Sequence, residues 1–420
     1  MRAVLVAAAI LLVAACGEVP APASSGDYKL YEATSSSTAK SDVLAVIDSR
    51  SHTTDRTLPL GTPSPDWHHL YSVSANRLID TDPISGATLN TLPLPGGYQL
   101  PPASISGVPG GLSQNGKWLT LEAWERAADG SPTATHLLLI DTSFREAPAR
   151  IDLHGFFEFD AVSNDGQRVY LIEYLGGNGY RVRMYNVLAR LLDPQVIVDK
   201  SDGQDAMAGV RLMGVQSPDG QWQYSVYARQ NDGAFIHALN LTGIPIAVCV
   251  FLPGAGYAKD PGEFRWSLAM SPDGSTLYAA NGATGVVAEV DIAGGGWPTL
   301  GHTTRIGQAA STSNPLVENV QAKAFGANTA VVSPDGRTLV AAGGSGVVWL
   351  DTANLIERRH ALDGSRVSSL GLSPDGRELY VVDDSGTIAQ LSVRSGAVEG
   401  RFDPGLGAPM ALIRVAAPEV

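Results

Sequence analysis

A four-residue turn, Ser-Pro-Asp-Gly, recurs along this chain and constrains its fold more than any other feature. It occurs four times without change, at residues 217–220, 271–274, 333–336 and 373–376, and degenerate copies begin at Ser64, Ser113 and Ser163. Ser and Asp bind nearby backbone, Pro presets φ, and Gly accepts a positive φ, which together suit a tight turn. Each copy separates two short apolar runs, so each predicts a β-hairpin.

The spacing of the copies predicts an all-β propeller. Successive serines lie 49, 50, 54, 54, 62 and 40 residues apart, and such periods are typical of one four-stranded blade per repeat. Seven turns predict a seven-bladed β-propeller, whose last blade would be completed by the apolar runs at 43–48 and 410–416. The alternative is eight blades, in which these two runs and residues 28–34 form a blade shared by the two termini.

One repeat unit carries a family resemblance. The run Leu370-Gly-Leu-Ser-Pro-Asp-Gly-Arg-Glu-Leu-Tyr-Val-Val382, followed by Gly386-Thr-Ile-Ala-Gln-Leu391, resembles the YVTN-type propeller repeat, which is similar to WD-like and TolB-like propellers. Residues 329–351 match as well, although the Tyr-Val-Thr-Asn signature itself is absent. The resemblance implies the propeller fold over most of the chain and does not specify a ligand.

The first sixteen residues form a targeting segment. Arg2 precedes a run of twelve apolar residues, 3–14, which is too short to span a bilayer, and the segment ends Leu-Val-Ala-Ala-Cys16. This ending resembles the bacterial lipoprotein signal, which implies cleavage before Cys16 and a diacylglyceryl thioether on its sulfur. The alternative is an ordinary secretory signal in which this Cys occurs by chance. We therefore expect a signal peptide (1–15), a flexible tether (16–27) and the propeller (28–420).

The charge and the cysteine content limit the partners and the cellular location that we expect for this protein. The net charge is -13 and no block of Lys or Arg occurs, so nucleic acid is not an expected partner. Cys249 is the only other cysteine, so no intramolecular disulfide is expected once Cys16 carries lipid. We expect the chain on the extracytoplasmic face of the cell membrane, held there by the lipid on Cys16.

Candidate binding residues lie in the connections between predicted blades. In a propeller these connections share a face with the loops between second and third strands, opposite the Ser-Pro-Asp-Gly turns. A small-molecule or protein ligand is expected there, because carboxylates, Arg and aromatic rings converge at such a channel mouth. The candidates are His154, Glu158, Glu263, Arg265, Trp266, Glu318 and Arg366.

The sequence offers no catalytic signature. It contains no His-Glu-x-x-His and no Gly-x-Ser-x-Gly, and its eight histidines are scattered, so neither a catalytic residue, a metal ligand nor a cofactor is predicted. We therefore predict a ligand- or protein-binding module. The alternative is a hydrolase or lactonase that acts at the channel mouth, which the propeller fold permits by analogy alone.

Overall fold

The computed structural model describes residues 26–35, 42–176, 179–199, 207–293, 297–306, 328–343 and 346–418. Within these ranges the chain forms 32 β-strands and one short 3-10 helix, Pro261–Arg265. No helix among these residues is long and apolar enough to cross a membrane. The strands form eight antiparallel sheets, one after another along the chain.

Each sheet is a propeller blade that runs from an inner strand at the channel to an outer strand at the rim, and from blade 4 to blade 8 each inner strand contacts the inner strand of the next blade. Blade 1 contains β4 (Thr62–Pro63), β5 (Leu70–Ser74), β6 (Arg77–Thr81) and β7 (Thr88–Pro93), and blade 2 contains β8 (Trp118–Arg126), β9 (Pro132–Asp141) and β10 (Ala149–His154). Blade 3 contains β11 (Phe157–Val162), β12 (Arg168–Gly176), β13 (Gly179–Asn186), β14 (Leu191–Leu192) and β15 (Met207–Ala208). Blade 4 contains β16 (Val210–Gln216), β17 (Trp222–Ala228), β18 (Phe235–Asn240) and β19 (Ala247–Phe251).

The remaining blades repeat this arrangement, and blade 8 draws on both ends of the chain. Blade 5 contains β20 (Trp266–Met270), β21 (Thr276–Asn281), β22 (Val286–Asp291) and β23 (Thr299–Arg305), and blade 6 contains β24 (Ala330–Val332), β25 (Thr338–Gly343), β26 (Gly346–Asp351) and β27 (Glu357–Ala361). Blade 7 contains β28 (Val367–Leu372), β29 (Glu378–Asp383), β30 (Ile388–Ser392) and β31 (Val398–Phe402). Blade 8 contains, from the channel outwards, β32 (Ala408–Ala416), β1 (Lys29–Ser35), β2 (Val43–Asp48) and β3 (Thr53–Pro59).

The prediction of seven blades is wrong, and the alternative of eight blades is confirmed. In blade 8 the C-terminal β32 is the inner strand, and it pairs with the N-terminal β1 from Ser35↔Ala408 to Lys29↔Ala416. The repeated turn joins the first strand of a blade to the second. Blade 8 has no such turn, because those two strands come from opposite ends of the chain. Counting turns therefore finds one blade too few, while closure removes the free sheet edges.

The repeated turn has the predicted internal chemistry. In blade 5 the hydroxyl of Ser271 donates to Asp273 Oδ1 over 2.6 Å and accepts the backbone N–H of Thr276 over 2.9 Å. Gly274 has φ +69°, and a Cβ placed there would lie 2.9 Å from Cγ of Pro218 in the preceding turn. The turns thus stabilise their own hairpins and also pack against one another around the ring.

The hydrophobic core lies between neighbouring blades. Eight clusters of buried apolar side chains occur among the described residues, one for each pair of adjacent blades. Between blades 3 and 4, for example, Tyr180 stacks on Tyr227 with ring centroids 5.0 Å apart. Because each blade has an apolar neighbour on both faces, its middle strands are buried along most of their length, as in β17 and β29, whereas outer strands such as β7 and β23 are mostly exposed.

Candidate ligand site in the central channel

Residues 100–111, which we call the channel loop, separate two parts of the inner edge of blade 2. The chain pairs with β8 at Gln99, leaves the sheet, and pairs with β8 again at Leu112. Between these points Ile105 donates its backbone N–H to the carbonyl of Leu212 in blade 4, over 2.6 Å. The channel loop therefore reaches from blade 2 to the inner strand of blade 4.

The channel loop also reaches blade 8. A Cβ added to Gly107 would lie 3.3 Å from Cε of Met410, on the inner strand of that blade. Contacts with blades 2, 4 and 8 place the loop across the channel, so that the space inside the ring is divided into two parts.

A buried ion pair lines the channel wall where blades 3 and 4 meet. Asp160 Oδ1 lies 3.5 Å from Nε of Arg211, and the two side chains are 0% and 14% exposed. Neither carboxylate oxygen of Asp160 makes a well-aligned hydrogen bond to another described residue. Burial raises the pKa of Asp160, and the guanidinium of Arg211 and the hydroxyl of Ser225 oppose that shift. Asp160 thus retains unused acceptor capacity next to a cation.

Two more carboxyl groups lie close to Arg211. Glu158 accepts the hydroxyl of Tyr174 over 2.7 Å. Glu122 accepts the backbone N–H of Phe159 over 3.2 Å, and burial raises the pKa of Glu122 to about 8, with a further contribution from the charge of Glu158. Glu122 is therefore mostly neutral at pH 7.

Two cavities meet at Arg211 and at Pro102 of the channel loop. The larger, about 470 Å³, lies on the side of the Ser-Pro-Asp-Gly turns, and the smaller, about 200 Å³, lies on the side of the blade connections. The polar side chains of the larger cavity are hydroxyl, amide and charged groups, contributed by Thr62, Ser64, Ser113, Gln114, Asp160, Arg211, Gln216 and Gln223. The smaller cavity contains Glu158 and Tyr174 next to apolar Ile105, Val210 and Leu212.

Half-buried aromatic rings flank the smaller cavity. Phe156 stacks on Tyr174 with centroids 4.7 Å apart and meets Trp124 edge to face at 6.1 Å. The indole N–H of Trp124 donates to the carbonyl of Phe157 over 2.9 Å, which fixes the ring. Rigid aromatic rings beside carboxylates are suited to the apolar and polar faces of a small amphipathic ligand.

The structure places the predicted candidate residues at several separate positions. Glu158 lines the smaller channel cavity. His154 is the last residue of β10 and is exposed, outside the residues that line either cavity. Arg366 is exposed just before β28, and its backbone carbonyl accepts the N–H of Asp384. Of these three, the structure brings only Glu158 to the Asp160–Arg211 pair.

Glu263 and Trp266 are partners of each other. Glu263 is buried, and its Oε2 accepts the indole N–H of Trp266 while its Oε1 accepts the backbone N–H of Ala255, each over 2.9 Å. Both oxygens are therefore occupied in the connection between blades 4 and 5, which they hold in place. Arg265, in the same 3-10 helix, is half-buried.

Two predictions lie outside the described residues. Cys16, with the signal and most of the tether, precedes residue 26, and Glu318 lies in the range 307–327. Among the residues that the structure does describe, no group of three or more His, Cys, Asp or Glu side chains is arranged to hold a metal ion.

The sequence reasoning missed Asp160, Arg211 and Glu122 as site residues. A signal was present in the sequence, since Glu122 and Arg211 each interrupt an apolar run and Asp160 ends the aromatic and acidic stretch that also contains Glu158. A charge at such a position requires a partner or a cavity, because burying it alone is costly. The identity of the partner, Arg211 on the next blade, is not encoded locally.

Comparison with known proteins supports the fold. No protein-family model and no curated protein matches the sequence, so the YVTN resemblance stays a prediction. Among solved structures, AztD of Citrobacter koseri has a TM-score of 0.54 at 10% identity, covering 93% of this chain and 98% of its own. Dihydro-heme d1 dehydrogenase NirN has 0.51 at 15%, covering 92% and 74%. The periplasmic gluconolactonase PpgL of Pseudomonas aeruginosa has 0.44 at 17%, covering 91% and 98%. At these identities the similarity to AztD and NirN supports a shared fold and nothing further.

Proposed function

We propose that this chain is a lipid-anchored extracytoplasmic binding protein that holds a small polyhydroxylated ligand, such as a sugar or sugar acid, in its central channel. One observation carries the proposal: the buried carboxylate of Asp160 lines the larger cavity beside the cation of Arg211, and neither of its oxygens makes a well-aligned hydrogen bond within the described residues. Buried polar groups are nearly always hydrogen-bonded, so a carboxylate with spare acceptor capacity in a cavity favours a ligand that donates to it.

The chemistry of the cavity wall supports a hydroxyl-rich ligand. Carboxylate oxygens accept from hydroxyl groups, amides of Gln114, Gln216 and Gln223 both donate and accept, and Arg211 donates to hydroxyl or carboxylate oxygen. A volume of about 470 Å³ falls within the usual range for small-molecule sites. Apolar side chains, among them Trp67, Leu112 and Ile413, also line this cavity, and they can pack against the apolar face of a sugar ring.

The proposal of a lipid anchor is supported by the sequence alone. The twelve apolar residues before Ala15-Cys16 and the small residues at the cleavage point support lipidation of Cys16. In a cell fractionation, the native chain should incorporate labelled palmitate and sediment with membranes, and Cys16→Ser should lose both properties. Palmitate incorporation that persists in Cys16→Ser would refute the anchor.

Binding is tested on the full-length protein in detergent by thermal denaturation against a panel of monosaccharides, aldonic and uronic acids, and inositols. A ligand at a hundred times its Kd should stabilise the protein by about 2.7 kcal/mol. Asp160→Asn should abolish that response.

The matched control is Glu32→Gln. Glu32 is another buried carboxyl without a hydrogen-bond partner among the described residues, but it lies in blade 8 and lines neither cavity. This variant should respond to the ligand as the native protein does. A panel without any stabilising compound, or an equal response from Asp160→Asn, would refute the proposal.

One observation bears on the alternative of a hydrolase or lactonase. Glu122, with its pKa raised to about 8, lies near Glu158, and a neutral acid beside a second carboxyl group is the arrangement that general acid–base catalysis uses. Aldonolactones therefore belong in the panel, with acid release followed by pH-stat. Turnover that disappears in Glu122→Gln would favour the enzyme over the binding protein.

A further inference from the structure

Four consecutive blades carry an exposed large hydrophobic side chain at the turn between their third and fourth strands. Leu188 and Leu191 belong to this turn in blade 3, Ile244 to that in blade 4, Trp297 to that in blade 5 and Ile356 to that in blade 6, and their exposed fractions range from 55% to 78%. We call these five side chains the apolar tips. They make up half of the large hydrophobic residues that are exposed within the described ranges.

The apolar tips lie on the same face of the ring as the Ser-Pro-Asp-Gly turns. In blade 4 the residue that follows the third strand, Leu241, donates its N–H to the carbonyl of Gln221, directly after the repeated turn, over 2.7 Å. In blade 5 Ile292 donates in the same way to Ser275 over 3.0 Å. We call this side of the ring the turn face.

The chain enters the propeller on the turn face. Tyr28 and Ser49 exchange backbone and side-chain hydrogen bonds at the turn between the third and fourth strands of blade 8. The phenol of Tyr28 lies beside Asp375 in the repeated turn of blade 7. The segment that leads back to Cys16 therefore leaves the fold from the face that carries the apolar tips.

The length of that segment favours the turn face as the side nearest the membrane. Tyr28 follows Cys16 by twelve positions, a reach of about 40 Å when fully extended and about 20 Å as a random coil. To present the opposite face, the segment would have to pass two further strands, about 10 Å, and then run along β3, about 23 Å. That path would use most of the extended length before the chain reached the bilayer.

We infer that the turn face lies against the lipid bilayer and that the apolar tips insert at the boundary between headgroups and acyl chains. The inference rests on the proposed lipid on Cys16. The tips are separate protrusions on neighbouring blades, which suits insertion into a fluid surface, where no complementary shape is needed. In this orientation the larger cavity lies in the membrane-proximal half of the channel, and the mouth with Glu158 points away from the membrane.

The test uses the full-length lipidated protein, reconstituted in phosphatidylcholine–phosphatidylglycerol vesicles. In a Cys249→Ser background, Ile244→Cys carries an environment-sensitive NBD label on the turn face. Asn231→Cys, exposed in the same blade between its second and third strands, carries the same label on the opposite face. Vesicles with doxyl-labelled phosphatidylcholine should quench the label at 244 at least about twofold more than the label at 231, since only the former enters the interface.

The outcomes distinguish a failure of the inferred orientation on the membrane from a failure of the proposed lipid anchor. Flotation of the native protein with vesicles, lost in Cys16→Ser, shows that the anchor holds; equal quenching at 244 and 231 then overturns the orientation alone. Loss of flotation in the native protein overturns the anchor and the orientation with it. A label at 244 that is shielded from dithionite yet unaffected by doxyl lipid, in a protein of dimeric mass, would mean that a second copy covers the tips, and it would overturn the inference.

Discussion

Replacing Arg211 with Leu should destabilise the protein in a manner that depends on pH. The substitution removes the cation 3.5 Å from Asp160 and keeps most of the apolar volume, so a fully buried carboxylate loses the charge that balances its own. Breaking a buried pair in this way typically costs about 3–5 kcal/mol. Asp160 can limit that cost by taking up a proton.

Protonation sets the upper bound on the electrostatic loss. From an unfolded pKa of about 3.9, neutralising one carboxyl costs about 4 kcal/mol at pH 7 and about 1.5 kcal/mol at pH 5. Burial already raises the pKa of Asp160 in the native protein, so part of this cost is present before the substitution. We expect Arg211→Leu to lower the free energy of unfolding by about 2–4 kcal/mol at pH 7 and by at least about 1 kcal/mol less at pH 5.

The sign follows from the direction of the pKa shift. A carboxyl whose folded pKa exceeds its unfolded pKa destabilises the fold as pH rises from the unfolded value through the folded value. Without Arg211 the folded pKa of Asp160 rises further, so the loss of stability extends to higher pH.

Urea denaturation followed by tryptophan fluorescence, at pH 5 and pH 7, measures both values. The double variant Asp160→Asn/Arg211→Leu removes the titrating group and should lose the additional pH dependence of Arg211→Leu. An equal cost of Arg211→Leu at the two pH values, or a double variant less stable than Arg211→Leu at pH 7, would contradict the ion-pair account.

Three further substitutions test other parts of the structure. Gly274→Ala should destabilise by more than Gly243→Ala in thermal melts, because both residues have positive φ, but only at 274 does a Cβ meet Pro218; equal losses would mean that the turns do not pack on one another. Glu263→Ala should cost about 2–4 kcal/mol in urea denaturation, since it leaves the buried indole N–H of Trp266 and the partly buried N–H of Ala255 unpaired, and a loss under 1 kcal/mol would contradict its role in holding the blade connection. Burial lowers the pKa of His237 to about 4, so this residue should contribute stability that is complete above pH 6.5 and falls by up to about 3 kcal/mol towards pH 4; His237→Gln should show a shallower pH dependence over that window, and an unchanged slope would contradict the shift.

Most of the strand arrangement is predictable because it is local. The turn at Ser271–Gly274 closes through bonds among its own residues, and the apolar runs on either side pair as a hairpin. The predicted number of blades was wrong because the eighth blade depends on a contact that is not local. Blade 8 forms by pairing β1 with β32, and no short stretch of sequence carries a sign of that contact.

The candidate site is less predictable for the same reason. Glu158 could be selected from the sequence because it lies in a blade connection rich in aromatic and acidic residues. Its neighbours could not, because Arg211 meets Asp160 across the boundary between two blades. Glu263 shows the opposite case, since its setting suggested a ligand site, whereas its two oxygens are occupied by Ala255 and Trp266.

The sequence by itself determined the propeller class and the face on which the repeated turns lie, because turn chemistry and strand periodicity act over a few residues. Only the tertiary structure decided the number of blades, the pairing of Asp160 with Arg211 and the division of the channel by residues 100–111. Each of these depends on contacts between residues far apart in the chain. Ring closure brings such residues together, and local propensities do not specify them.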